Sequence, residues 1–188
     1  MTKDPAMRDL FGKAIRQRRP KYEAALERAE KGSRPARAAR VRWLSEIIPR
    51  NSAFGMPAET FYVFEEAKAS FVYGNFVAAV VLAAAFVEHW FVAGLQAHGY
   101  EKEASRGLSA CIKVARSNDL VNSILLDKID RLRLIRNPFV HLKSFDHEHT
   151  IGQRSYKQKT LPEALLESDA QEALIAMYGT AAYTFNRR

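Results

Sequence analysis

Apolar residues recur at helical spacing along most of this chain, and nowhere do they alternate with polar ones long enough to suggest a strand. Residues 58–73 follow Pro57 and run into Gly74 and Asn75, a pair that tolerates left-handed backbone, so a capped helix is predicted there. The next helix, about 75–98, is apolar on nearly all sides and meets a natural stop at Gly99, which predicts the central helix of a bundle. A third is predicted at about 104–117 from Leu108, Cys111, Ile112 and Ala115. Asp119 offers a cap for a fourth, whose Leu120, Ile124, Leu125, Ile129, Leu132 and Ile135 keep the period up to Asn137, where Pro138 is expected to interrupt it. The stretch KSFDHEHTIGQRSYKQKT then predicts a long polar loop, and SDAQ, Ser168 to Gln171, reads as a capping box opening the last helix.

This pattern, with no internal repeat, predicts an all-α helical bundle. At 188 residues and 47% hydrophobic content the chain is long enough for one well-filled core. Charge divides it further. Residues 1–50 hold 14 Lys and Arg against 6 Asp and Glu, whereas residues 51–188 hold 15 of each, so the whole net charge of +8 lies in the first quarter. We therefore expect a basic N-terminal helical arm over 1–50 and a bundle over 58–186. The arm reads as two pieces, Pro5 to Lys31 and Pro35 to Ile48, separated by KGSRP and closed by PRNSAFGMP. Arg34, Arg37, Arg40 and Arg42 give it a partial basic face, with Arg37 and Arg40 as candidates for phosphate contact; an ordinary solvated helix surface is the alternative.

Several classes are disfavoured. A lone cysteine, Cys111, cannot form an internal disulfide, and the charged N-terminus lacks the apolar stretch of a secretory signal, so a cytoplasmic setting is expected. The apolar run within 76–95 is closed by Glu88 and His89, short of the roughly 20 residues of a membrane span.

The candidate chemistry sits in RLRLIRNPFVHLK, residues 131–143. In an unbroken helix, positions five apart point about 140° from each other, which would separate Arg136 from His141. Pro138 is expected to kink or end the helix and let the two converge on one groove. An imidazole exchanges protons near neutral pH, and a planar guanidinium stabilises charge building on phosphoryl oxygens, so the pair suits phosphodiester cleavage. Asn137 can orient the base or the phosphate, while Lys143, Arg131 and Arg133 are candidates for phosphate contact. The scheme calls for no cofactor or metal. The bland alternative pairs Arg136 with an acid and leaves His141 as a helix-end residue favoured by the dipole.

These residues carry a resemblance. The segment LRLIRNPFVH is similar to the signature of the HEPN superfamily, an arginine followed by a polar residue and then, after four to six positions, a histidine. The helix pair AKASFVYGNFVAAVVLAAAFVEHWFVAGL also resembles that fold, with its Gly-Asn joint and its late glutamate, Glu88. The resemblance covers roughly 58–186 and implies an α-helical domain, often dimeric, that in many members is a metal-independent endoribonuclease. Such members join Arg and His from two subunits in one cleft, leave 2′,3′-cyclic phosphate and 5′-hydroxyl ends on RNA, and recur in toxin–antitoxin, CRISPR and anti-phage systems. Carried over, the catalytic positions are Arg136, Asn137 and His141. Members paired with a nucleotidyltransferase antitoxin commonly carry a tyrosine two residues after the histidine, where this chain has Lys143.

Two further readings complete the set. Glu88 is taken as a partner within its own helix, with Arg136 as the alternative, and the cluster Asp146, His147, Glu148 and His149 is taken as a polar loop rather than metal ligands. A non-catalytic HEPN-like module that binds RNA or protein is the second functional class.

Overall fold

The computed structural model describes residues 19–48, 56–183 and 185, and among them the chain is all α-helical. The expected helical start over 5–18, the closing segment 49–55 and the final positions 184 and 186–188 lie outside the described residues. The chain divides into two compact units, Met1–Ala39 and Arg40–Arg188.

Helix α1 (Arg19–Ile47) runs through the predicted break at KGSRP, with Pro35 inside it. Proline removes one helical hydrogen bond, and on an exposed helix water takes up the freed carbonyl, so a single proline leaves the helix continuous. The part of α1 from Arg40 onward belongs to the second unit. There Leu44 is buried and Trp43 packs on Phe71 with ring centroids 5.1 Å apart.

Helices α2 (Ala58–Tyr73) and α3 (Phe76–Ala97) form a hairpin closed by Gly74, whose φ of 82° is the left-handed cap expected there. Its N–H donates to Phe71 O, and Asn75 N–H donates to Ser70 O at 2.8 Å, so the last carbonyls of α2 are satisfied. Three alanines and five larger residues of α3 are buried, namely Ala79, Ala83, Ala84, Val80, Phe86, Val87, Phe91 and Leu95 beside Ala67 and Phe71 of α2. Small side chains let helices approach closely and the aromatic ones fill the gaps that remain. By length and composition α3 would also suffice to cross a bilayer, yet here it is the central helix, packed against α2 and α8.

The third predicted helix starts later than expected, as α5 (Leu108–Ser117), and the short α4 (Glu101–Ala104) precedes it. Gly107 between them has φ 83°, a conformation that no helix interior accepts. Helix α6 (Ser123–Val140) begins later than predicted. Asn122 is its cap, with Oδ1 accepting from Leu125 N–H at 2.8 Å, while Asp119 lies in the preceding turn at φ 51°. Pro138 does not end α6. The helix continues to Val140 and His141 N–H still donates to Asn137 O at 2.9 Å. One missing bond in the final turn is tolerated because Leu134, whose carbonyl loses its donor, is partly exposed to water.

The segment predicted as a loop contains α7 (Ile151–Gln158), capped by Thr150. The last helix, α8 (Pro162–Ala181), starts six residues before the predicted Ser168 cap, with Pro162 in its first turn. The SDAQ motif is overridden because Asp169 is fully buried on the core face of α8, where Arg154 of α7 meets it through two bonds of 2.6 and 2.5 Å. After α8 the chain returns over α3, and Phe185 lies on Gly94 so closely that a Cβ there would fall 2.0 Å from its ring.

Candidate functional site

Arg136 leaves α6 near its C-terminal end and is met by Glu88 from α3, with Nη2 donating to Oε2 at 3.1 Å. Glu88 thus pairs across to α6 and not along its own helix. Gly107 lies beside this carboxylate, where a Cβ would sit in ordinary contact, 3.6 Å from Glu88 Oε1, so its positive φ rather than crowding is what favours glycine there. Both side chains keep about a quarter of their surface in solvent, 21% for Arg136 and 29% for Glu88. Nη1 of Arg136 has only a long contact, 3.5 Å, to Asn137 Oδ1. One edge of the guanidinium is therefore fixed and the other remains available to an anion.

His141 is the first residue beyond α6, with extended backbone at φ −134° and ψ 122°. Its ring is exposed, and among the described residues no hydrogen bond or ion pair reaches it. Helix α6 is continuous through Pro138, so the proline does not end it before His141, and no hydrogen bond joins the Arg136 and His141 side chains among the described residues. What places His141 past the helix is the extended conformation at its own position. Asn137 is half-buried beside Arg136, and Lys143 is half-buried in the segment that follows His141.

The other sequence candidates divide differently. Arg133 is tied to Asp130 one turn earlier at 2.7 Å, and Arg131 reaches Glu172 at 3.3 Å. Arg40 donates to Glu167 at 2.8 Å and to Val72 O at 3.4 Å, and its guanidinium lies 4.8 Å above the Phe76 ring. That makes Arg40 a staple between α1, the α2–α3 hairpin and α8. Arg37 lies in the first unit and is half-buried.

Electrostatics near Glu88 bears on the one thiol. Burial, and then the Glu88 charge, push the Cys111 thiol up from its ordinary range. A thiol held protonated is a weak nucleophile, so Cys111 acts as a small buried core residue. His147 and His149 come within 5.5 Å of each other and Glu148 lies 3.6 Å from His149, but no group of three or more metal-ligating side chains converges among the described residues.

Two features escape a reading of the sequence. The signal for the Arg154–Asp169 pair is an acid on an apolar stripe: Asp169 falls in line with Leu165, Ala173 and Ala176, and a buried charge demands a partner. Gly107 gives no signal beyond being a glycine at a helix start.

No family model, curated protein or solved structure matches this chain.

Proposed function

We propose that this chain is a HEPN-like, metal-independent endoribonuclease whose reaction centre is the Arg136–Asn137–His141 end of α6. One observation carries the reading: Arg136 is fixed by Glu88 with a donor edge left open, and an exposed imidazole without an internal partner follows it five residues on. In the reaction the 2′-oxygen attacks phosphorus and forms the cyclic phosphate, while the bond to the 5′-oxygen breaks. His141 takes the 2′ proton or delivers one to the leaving oxygen, and Arg136 stabilises the charge on the non-bridging oxygens. Asn137 orients the phosphate or base and Lys143 adds a phosphate contact.

A single imidazole serves one of the two proton transfers, so a homodimer that brings two His141 rings into a shared cleft completes the scheme. The setting we infer is cytoplasmic, with RNA as substrate and an antitoxin or defence protein as the partner class. The experiment is incubation of RNA with the protein and with His141→Ala in EDTA, followed by analysis of the ends. The expected outcome is 2′,3′-cyclic phosphate and 5′-hydroxyl products from the wild type and at least about a hundredfold loss in the variant.

A second reading has its own observation. No hydrogen bond joins Arg136 to His141 among the described residues, and Arg136 already has an acidic partner, as in a non-catalytic module that binds RNA or protein. That reading predicts salt-sensitive binding that survives His141→Ala, with no cleavage at any enzyme concentration.

A further inference from the structure

The segment leaving the site is unusually apolar for an exposed turn. Val140, Leu142 and Phe145 are all exposed within six residues, Leu142 completely and Phe145 at 87%. Phe145 makes no ring contact among the described residues, whereas Phe64, Phe71, Phe76, Phe86, Phe91 and Phe185 pack into aromatic clusters around Trp43, Phe64 and Trp90. Single surface hydrophobes are ordinary, but here the aromatic ring sits four residues from His141 with Lys143 between them. Four residues of chain reach at most about 14 Å, so Phe145 lies within a nucleotide or two of any phosphate held at His141.

We propose that Phe145 is a stacking platform for an unpaired base of RNA bound at the α6 end. The inference rests on RNA binding at Arg136 and His141, and it adds the determinant that selects unpaired strands. Every base presents a π-face, so stacking on an aromatic ring is tolerant of sequence, and a base inside a duplex cannot offer that face without leaving its stack. Charge sets the direction of the strand. Lys143 attracts phosphate on the His141 side of the ring, while Asp146 and Glu148 repel it on the other side.

The test uses the full chain carrying His141→Ala, so that binding is measured without cutting. A single-stranded RNA with 2-aminopurine at successive positions is titrated, and the fluorescence change reports stacking. One position is expected to be quenched on binding. Phe145→Ala should abolish the quench and weaken binding roughly 5- to 100-fold, Phe145→Trp should retain both, and a duplex of the same sequence should compete poorly. Equal binding and equal quench with Phe145→Ala would overturn the proposal. So would a wild-type dimer that Phe145→Ala turns into monomers in sedimentation while leaving the quench intact, since the ring would then belong to an interface between copies. Phe145-dependent quenching together with absence of cleavage by the wild type would support the platform and defeat the nuclease reading, which keeps the two failures separate.

Discussion

Arg136 and Arg154 each set a guanidinium against a carboxylate from another helix, and the two pairs differ in depth and in completeness. Arg154 and Asp169 are joined by two bonds, with side-chain exposures of 8% and 1%, and bury their charges between α7 and α8. Arg136 and Glu88 are joined by one bond and stay in contact with water. The Asp169 hydrogen bonds, against the opposing effect of burial, raise the Arg154 guanidinium above its ordinary range, so it is a permanent charge with a permanent partner. Among its nitrogens only Nε lacks a partner, and that atom is sealed from solvent. The shallower pair keeps a donor edge and access to solvent, which is the condition for acting on something other than itself.

The largest effect should come from breaking the deep pair. Asp169→Ala strands a buried guanidinium and is expected to cost about 3–5 kcal/mol, read as a lower urea midpoint. Replacing both partners, Arg154→Met with Asp169→Leu, should recover most of that loss, because an apolar pair of similar volume removes the desolvation cost together with the attraction. If the double variant were as unstable as the single one, the deep pair would be doing something other than neutralising charge.

Glu88→Gln is the milder counterpart. It keeps an acceptor near Arg136 and removes only the charge, so about 1–2 kcal/mol of stability should be lost, with cleavage falling by a larger factor than stability explains. An unchanged rate alongside a reduced melting temperature would place Glu88 with the structural pairs.

A smaller effect separates the two regions by pH. His149, beside Arg154 and Arg131, has its imidazole lowered from the ordinary value, first by burial. A histidine that binds protons less well when folded makes the unfolded chain the better proton acceptor at low pH. Its contribution is therefore fully present above about 6.5 and is lost as pH falls below that value toward the folded pKa. Urea titrations from pH 8 to 5 should show this slope, and His149→Gln should flatten it.

How much of this is legible in the sequence depends on whether the deciding interactions are local. The α2–α3 hairpin is legible because Pro57, Gly74 and Asn75 fix its ends through their own backbone preferences. The all-α character follows from periodicity in the same way. Helix α7 is not legible: its polar sequence has little reason to be ordered until Arg154 finds Asp169, a partner fifteen residues away. The same contact hides the start of α8, since Ser168 and Asp169 look like a cap when the acid's buried partner is unknown. At the site, Arg136 and His141 are named by the motif, but the carboxylate that holds Arg136 comes from α3, and only the packing of α3 on α6 selects it over an intrahelical partner. Pro138 shows the limit of a local rule, because a proline in the last turn costs one bond and leaves the helix running to Val140.

The most direct measurement is single-turnover cleavage of single-stranded RNA in EDTA by Arg136→Gln and by the Arg154→Met, Asp169→Leu double variant, at a temperature where circular dichroism shows both folded. Arg136→Gln should lose about a hundredfold or more, and the double variant should cleave at a near wild-type rate. Cleavage by Arg136→Gln at the wild-type rate would contradict a role for Arg136 in the reaction.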